Sequence, residues 1–168
     1  GISAIASNAV SLYFCLSSVM TATLSVSLIF PALELRHLIF LNIHSPYDNE
    51  SFEASQAKMV SRDGYTFDNY EDKKMIIPAI RDKELGHRTH TRDPKVWKYK
   101  DGYSMILGSK FKIEGNEKFT GEALFYTSKN GEEWTYKNRC YDDTIGDMWE
   151  CPDLFNVDGS YVLVMSPE

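Results

Sequence analysis

The chain has 168 residues, with 18 Lys and Arg against 24 Asp and Glu, so its formal net charge at pH 7 is −6. Hydrophobic residues make up 43% of the chain and charged residues 25%, which is typical of a packed globular protein and excludes a disordered or collagen-like one. The acidic balance argues against the basic surface used by nucleic-acid-binding proteins, so we expect no nucleic-acid partner. Three unevenly spaced cysteines form neither a disulfide framework nor a zinc motif.

The charge is distributed unevenly, because every charged residue lies between Glu34 and Glu168. Within the uncharged start, residues 21–28 alternate polar and apolar side chains, the pattern of a half-buried strand. A membrane span over residues 12–30 is the alternative, although six serines and threonines interrupt it, so we expect no membrane partner. No Lys or Arg provides the basic start of a signal peptide; we therefore expect a cytoplasmic protein, with secretion as the alternative.

Two patterns repeat along the charged part of the chain. Ser-x-(Asp/Asn)-Gly-x-x-aromatic occurs at residues 61–67 and 128–134, an offset of 67 residues. Proline, strand, Asp-Gly and strand follow one another at residues 94–107 and 152–164, with an offset of 57 residues between the two glycines. Asp-Gly and Asn-Gly between apolar runs predict hairpins, because a type I′ turn needs positive φ at both central residues. One unit is therefore two hairpins, or four strands, in about sixty residues.

Four-stranded units in series predict an all-β chain that forms part of a β-propeller, a ring of about 4–8 such blades. The length provides about two to three blades, so we interpret the chain as a fragment that lacks the remaining blades, since an open propeller exposes strand edges. A small β-sandwich with similar hairpins is the alternative. We divide the chain into a divergent, charge-poor segment over residues 1–43 and a partial propeller, the catalytic domain, over residues 44–168.

An acidic residue stands beside the proline that opens the equivalent strand of each repeat: Asp93 before Pro94, and Glu150 two residues before Pro152. Equivalent strands of neighbouring blades converge near the propeller axis, so we expect the two carboxyl groups to face each other. Two converging carboxylates are the machinery of glycoside hydrolysis. An apolar pocket would keep Glu150 protonated as a general acid, whereas Arg92 would keep Asp93 ionised. A plain strand entrance without a catalytic role is the alternative.

These motifs resemble those of glycoside hydrolase family 32, which comprises invertases, sucrose-6-phosphate hydrolases, levanases and inulinases. Residues 91–96 (Thr-Arg-Asp-Pro-Lys-Val) are similar to the family's Arg-Asp-Pro motif, and residues 149–153 (Trp-Glu-Cys-Pro-Asp) to its Glu-Cys-Pro motif. The likeness runs from His44 to Glu168. It implies a five-bladed β-propeller that hydrolyses terminal β-fructofuranosidic bonds of sucrose, sucrose 6-phosphate or fructan with retention, by double displacement.

The resemblance implies that Glu150 is the acid/base and that Asp93 stabilises the transition state, holding fructose hydroxyls with help from Arg92. Trp149 adjoins Glu150, and because aromatic faces stack on sugar rings we expect it to bind substrate. No histidine stands beside Cys151, so we interpret this residue as a small buried neighbour that tunes Glu150 rather than as a nucleophile.

A metal site is an alternative at residues 87–93, where His-x-x-His-x-x-Asp offers possible ligands. Because this stretch leads into a strand, we interpret it as a loop flanking the sugar site and expect no metal. No cofactor is expected either, since the chemistry needs only carboxylates and water.

Retention also requires a nucleophilic carboxylate, which in this family is the Asp of an Asn-Asp-Pro motif. The 168 residues contain no such motif, and Asp48, Asp63 and Asp68 lie in turn-like contexts that do not match it. We therefore expect the chain alone to be inactive; the alternative is a non-catalytic carbohydrate-binding remnant of a propeller. Residues 15–43 resemble nothing in the family, and we interpret them as an insertion or a frameshifted strand.

Overall fold

The structure is a computed structural model that describes residues 37–46, 52–61, 63, 66 and 73–168, with side chains described from residue 43 onward. The predictions for residues 1–36, including the strand and the membrane-span alternative, lie outside the described residues, and within the described ones no helix could cross a membrane. The strands are β1 (His37–Pro46), β2 (Phe52–Ser61), β3 (Lys74–Ile77), β4 (Arg92–Tyr99), β5 (Gly102–Phe111), β6 (Thr120–Ser128), β7 (Thr135–Tyr141), β8 (Trp149–Val157) and β9 (Ser160–Pro167).

The strands form three antiparallel sheets in chain order: β1-β2-β3, β4-β5-β6-β7 and β8-β9. The central sheet is a four-stranded meander, which confirms the predicted unit of two hairpins. Strands β2 and β6 are equivalent, because each ends on a serine whose hydroxyl hydrogen-bonds an Asx side chain two residues on. The distances are 2.9 Å from Ser61 Oγ to Asp63 Oδ1 and 3.1 Å from Ser128 Oγ to Asn130 Oδ1. The predicted domain boundary after residue 43 falls inside β1.

The central sheet is buried on both faces. Met105 and Leu107 of β5 point to the face that packs against β3 and the segment after it, around Ile77. Ile106, between them, points to the opposite face and packs on Trp149 of β8. Because successive side chains of a strand alternate between the two faces, a strand covered on both sides becomes a continuous apolar run. The three sheets are therefore stacked face to face, as neighbouring propeller blades are.

The two prolines of the repeats lie inside their strands rather than at the start, which corrects the prediction. On β4, Arg92 pairs with Gly108 and Lys95 pairs with Ile106, so residues 93–94 stand opposite one residue of β5. On β8, the same two-against-one arrangement places residues 151–152 opposite one residue of β9. These are β-bulges, and proline is tolerated there because the bulged residue leaves the hydrogen-bonding ladder.

The hairpin turns agree only partly with the Asp-Gly prediction. Residues 158–159 form the turn between β8 and β9, with φ of 49° and 88°, as a type I′ turn requires. In the first repeat Tyr99 pairs with Gly102, so the turn is Lys100-Asp101, one residue earlier than predicted. Lys100 adopts the left-handed conformation there, with φ of 51°. The bulged residues Asp93 and Cys151 are 58 residues apart, whereas Gly102 and Gly159 are 57 apart, which matches the one-residue difference between the two turns.

Gly121 on β6 provides a test of the packing between the second and third sheets. A Cβ atom at Gly121 would overlap the indole ring of Trp149, which is 3% exposed and has no room to withdraw. We expect Gly121→Ala to lower the free energy of unfolding by about 1–3 kcal/mol, measured from urea denaturation midpoints.

The same substitution in a Trp149→Leu background is the control, because the shorter side chain removes the overlap. There the cost of Gly121→Ala should be clearly smaller, giving a favourable coupling free energy in the double-mutant cycle. Equal costs in the two backgrounds would show that the indole does not press on residue 121.

Candidate functional site

The candidate site lies where the bulged starts of β4 and β8 stand side by side. Three residue pairs join the two strands: Arg92 contacts Glu150, Asp93 contacts Cys151, and Lys95 contacts Asp153. The partners in each pair are separated by 58 residues, so each motif contacts the equivalent position of the other repeat. The tertiary structure thus brings together the two motifs that the sequence analysis singled out.

Arg92 and Glu150 form a partly buried ion pair, with side chains 14% and 27% exposed. Arg92 Nε donates to Glu150 Oε1 at 2.9 Å, and Nη2 donates to the same oxygen. The third nitrogen, Nη1, lies 2.9 Å from Nδ1 of His90. Within the described part of the chain no hydrogen bond occupies Oε2 of Glu150. This oxygen is therefore available to exchange a proton with a bound molecule.

Asp93 is almost completely buried, at 3% exposure. Its Oδ2 accepts a hydrogen bond from the backbone N–H of Cys151 at 2.9 Å and one from the thiol Sγ at 3.6 Å. Its Oδ1 has no hydrogen-bond partner among the described residues. Asp93 and Cys151 have φ of 60° and 47°, a region that costs a non-glycine residue free energy. In both bulges the backbone is therefore strained at the residue that contacts the other bulge.

The pKa of Asp93 is raised, because burial penalises its charged form more than its neighbours stabilise it. The hydrogen bonds from Cys151 and the charge of Arg92 act in the opposite direction, and the nearby charge of Glu150 adds to the rise. The predicted effect of Arg92 on Asp93 therefore exists, but burial outweighs it. Cys151 was predicted to tune Glu150; its backbone N–H and its thiol donate to Asp93, and an effect on Glu150 stays a prediction.

Trp149 does not occupy a position from which it could stack on a sugar. Its side chain packs in the core with Ile106 and Ala123 and is 3% exposed, and its Nε1 donates to the carbonyl of Ile145 at 2.6 Å. This enclosure contradicts the predicted stacking role, because neither face of the indole reaches solvent. The physical reason is strand alternation: Trp149 points into the sheet interface, whereas Glu150, the next residue, points the other way.

A buried polar network, which the sequence analysis missed, holds the chain just before Arg92. The Thr91 hydroxyl donates to the carbonyl of His87 at 2.8 Å and lies 2.8 Å from Ser109 Oγ on β5. Gln56 of β2 donates to the carbonyl of Thr91 at 2.9 Å. The network anchors the start of β4 to both neighbouring strands. No sequence signal identifies it, because its members come from three separate strands or loops.

The two histidines of the predicted loop act as uncharged structural groups. His87 Nδ1 accepts hydrogen bonds from the backbone N–H groups of Thr89 and His90, which closes a tight turn. Burial is the largest cause that lowers the pKa of His87, and it also lowers that of His90, to about 4. The described residues contain no group of three or more side chains suited to holding a metal ion. Residues 87–91 form a loop beside the site, and β4 begins at Arg92.

Glu122 is a fully buried carboxyl group in β6, behind the site. Its pKa is raised to about 7, mainly by burial, although the Arg139 charge and hydrogen bonding from Arg139 and Ser109 lower it. Arg139 Nη1 lies 3.4 Å from Oε2, and Oε1 has no hydrogen-bond partner among the described residues.

Comparison with known proteins places these features in a family. The sequence profile of the glycosyl hydrolases family 32 N-terminal domain matches residues 20–168. The sucrose-6-phosphate hydrolase of Bacillus subtilis is 34% identical over 122 residues, covering 69% of this chain and 23% of that protein. The Escherichia coli sucrose-6-phosphate hydrolase is 32% identical over 123 residues, covering 72% and 23%. The chain therefore spans about a quarter of the length of these curated relatives.

Solved structures share the fold. A Bombyx mori GH32 beta-fructofuranosidase, solved as a variant in complex with sucrose, matches with a TM-score of 0.65 and 24% identity, covering 86% of this chain and 29% of that one. The sucrose-6-phosphate hydrolase of Lactobacillus gasseri matches with a TM-score of 0.59 and 22% identity, covering 84% and 27%. The prediction of a partial β-propeller is confirmed. The family match begins inside residues 1–43, whose predicted origin stays a prediction.

The buried carboxyl group of Glu122 generates a prediction about stability and pH. Its pKa is about 7 in the folded chain and 4.5 when unperturbed, so between these values the folded state keeps a proton that the unfolded state releases. This group's contribution to stability therefore falls as the pH rises from 4.5 to about 7. Glu122→Gln removes the effect, so its free energy of unfolding relative to the wild type should rise by up to about 3 kcal/mol across this window.

The measurement is urea denaturation of both proteins between pH 4.5 and 8. The lowered pKa of His90 gives the opposite trend, but it is present in both proteins and cancels in the difference. Glu114→Gln, which removes an exposed carboxylate, is the matched control and should show no such rise. Parallel curves for the wild type and Glu122→Gln would contradict the assignment.

Proposed function

Because the chain belongs to glycosyl hydrolase family 32, we propose that the protein containing it hydrolyses the β-fructofuranosidic bond of sucrose or sucrose 6-phosphate. The observation that carries the proposal is the direct contact between the two bulged motifs, which puts Glu150 and Asp93 at adjoining strand starts. The relatives named above as sucrose-6-phosphate hydrolases, and the β-fructofuranosidase with bound sucrose, support this class of substrate.

In this proposal Glu150 is the acid/base. The carboxyl group protonates the glycosidic oxygen through Oε2 as the bond to the fructosyl carbon breaks, and it later takes a proton from the attacking water. Arg92 holds the other oxygen, Oε1, and so fixes the orientation of the group. The pair is 58 residues apart in sequence, so this orientation depends on the contact between the sheets.

Asp93 is the transition-state stabiliser in this proposal. Positive charge develops on the fructosyl ring as the bond breaks, and a buried carboxylate interacts with it strongly because little water screens the charge. The Cys151 N–H holds Oδ2 and leaves Oδ1 for a fructose hydroxyl. Arg92, which is committed to Glu150, acts as a positioning residue. Neither Trp149, which is enclosed, nor Cys151, which contacts Asp93, is assigned to substrate contact.

The nucleophile of a retaining mechanism is assigned to another part of the protein. A retaining glycosidase needs it about 5–5.5 Å from the acid/base. The absence of Asn-Asp-Pro from the 168 residues supports this assignment. Large apolar side chains on β8 and β9 that remain 37–64% exposed support further blades packing there; they are Phe155, Val157, Tyr161, Val162 and Val164.

Glu150→Gln tests the catalytic proposal in the protein expressed from the complete coding region that contains this chain. The amide keeps the shape and the hydrogen bond to Arg92 Nε but carries no transferable proton, so kcat for sucrose should fall by about 10²–10⁴-fold. Glu133→Gln, an exposed carboxylate after β6, is the matched control and should leave kcat unchanged. Retention of most turnover by Glu150→Gln would rule out the acid/base role.

The purified 168-residue chain should show no turnover of sucrose or sucrose 6-phosphate, because it lacks the nucleophile motif. Hydrolysis at a rate similar to that of the complete protein would contradict this expectation. Sequencing the DNA upstream of Gly1 and through codons 15–43 accompanies the assay, since an in-frame Asn-Asp-Pro would identify the nucleophile. A complete protein that binds fructosides without turning them over is the outcome expected for a carbohydrate-binding remnant.

A further inference from the structure

The guanidinium group of Arg92 is held on two edges. Nε and Nη2, which share one edge, both donate to Oε1 of Glu150, with Nε at 2.9 Å. On the opposite edge, Nη1 lies 2.9 Å from Nδ1 of His90, two residues earlier in the chain. His90, Arg92 and Glu150 therefore form a continuous row of partly buried side chains that ends at the carboxyl group proposed as the acid/base.

The contact with Arg92 fixes the tautomer of the His90 ring. A guanidinium group has donors only, so Arg92 donates and Nδ1 of His90 accepts. A ring nitrogen that accepts carries no proton, so the ring is neutral and its proton lies on Nε2. Burial is the largest cause that lowers the pKa of His90 to about 4. Four neighbouring basic groups lower the pKa further: Lys110, His87, Arg92 and His44.

The His90 contact provides a restraint that Glu150 does not. Both donors on the Glu150 side reach the same oxygen, Oε1, whereas a fork that reaches two carboxylate oxygens would fix the guanidinium plane by itself. With one oxygen as the only anchor, the plane of Arg92 can turn about that oxygen. A hydrogen bond on the opposite edge removes this freedom. The direction of the second Glu150 oxygen, Oε2, follows from how Arg92 is held.

Groups other than the His90 ring hold the loop in place. The backbone N–H of His90 donates to Nδ1 of His87 at 3.2 Å, and the hydroxyl of Thr91 donates to the carbonyl of His87 at 2.8 Å. The Thr89 hydroxyl donates to the carbonyl of Phe52, in β2, at 3.0 Å. The His90 ring itself packs edge-on against the His87 ring, with centroids 4.9 Å apart. The ring can therefore be replaced without removing the hydrogen bonds that shape the loop.

We propose that His90 is a positioning residue of the hydrolysis reaction: its Nδ1 holds the Arg92 guanidinium group, which in turn orients the free oxygen of Glu150 towards the bond that breaks. The proposal rests on the proposed function, because it takes Glu150 as the acid/base. His90 acts through Arg92 and transfers no proton itself. A poorly oriented acid transfers its proton slowly but leaves the contacts to the bound sugar intact, so the contribution of His90 belongs to kcat rather than to KM.

The first test compares His90→Leu with His90→Asn in the protein expressed from the complete coding region. The asparagine carbonyl can take the place of Nδ1 and accept from Arg92, whereas leucine offers no acceptor. For His90→Leu, kcat for sucrose should fall about tenfold with KM nearly unchanged, the effect of losing one charge-assisted hydrogen bond. His90→Asn should keep most of kcat. Thr89→Val, which removes a hydrogen bond of the same loop, is the matched control and should leave kcat unchanged.

The second test needs no activity and uses NMR of the ¹⁵N-labelled 168-residue chain at pH 7. Long-range ¹H–¹⁵N spectra show which ring nitrogen of His90 carries the proton, and we expect it on Nε2. The Nε–H signal of Arg92, assigned by its loss in Arg92→Lys, reports how firmly the guanidinium group is held. Its exchange with water should be slow in the wild type and in His90→Asn, and clearly faster in His90→Leu. The dispersion of each spectrum shows whether the variant is folded.

The outcomes separate this proposal from the proposed function. If the complete protein turns over sucrose and folded His90→Leu keeps the wild-type kcat, the positioning role is overturned and the hydrolase function stands. Equal losses of kcat in His90→Leu and His90→Asn, or in Thr89→Val, also overturn it, because the loop and not the acceptor would then matter. A proton on Nδ1 of His90 has the same consequence. A complete protein without turnover contradicts the hydrolase function itself, and the positioning role falls with it.

Discussion

The contact between the bulged starts of β4 and β8, called here the seam, is the interaction on which the candidate site depends. Arg92 and Glu150 come from different repeats, and each neutralises the partly buried charge of the other. Removing one partner of such a pair is costly, because the remaining charge keeps its desolvation penalty without its attraction. The adjoining hydrogen bond from the Cys151 backbone to Asp93 ties the second carboxyl group to the same seam. One seam therefore positions both carboxyl groups.

Two glycines permit this seam by letting the sheets approach closely. At Gly108 a Cβ would overlap the backbone carbonyl of Trp149, and at Gly121 it would overlap the Trp149 ring. The indole fills the interface between the second and third sheets, which places the following residue, Glu150, on the site side. Because successive side chains of a strand point to opposite faces, the packing of Trp149 in the core sets the direction of the Glu150 side chain. This link explains why an aromatic residue beside the acid has a structural role rather than a sugar-binding one.

The ionisable groups around the seam have pKa values that differ from those in water. Burial raises the pKa of Asp93 and Glu122 and lowers that of His90. At neutral pH the raised pKa values of Asp93 and Glu122 cost stability, and the strained φ angles of the two bulges add to the cost. Such costs are typical of sites whose groups are oriented before a ligand arrives, since preorganised dipoles and charges need no rearrangement during a reaction. The anchoring of Thr91 by Gln56 and Ser109 serves the same preorganisation.

The sequence by itself determined the repeated four-stranded unit, the all-β class and the two motifs. Turn chemistry is local, so the Asp158-Gly159 turn could be read directly from the residues. The equivalence of the two motifs also followed from their similar surroundings in the chain. The turn at Lys100 was misplaced by one residue, because the register of a hairpin is set by pairing along the whole strand.

Only the tertiary structure decided which side chains meet. The pairing of Arg92 with Glu150 and of Asp93 with Cys151 depends on the bulges and on how the sheets stack. The enclosure of Trp149 has the same origin, since burial is a property of neighbours that lie far away in sequence. The spacing of the repeats predicted that the two motifs lie close together, but it carried no information on which side chains pair. The physical reason is that desolvation and ion pairing act through space, whereas the patterns that reveal strands and turns act along the chain.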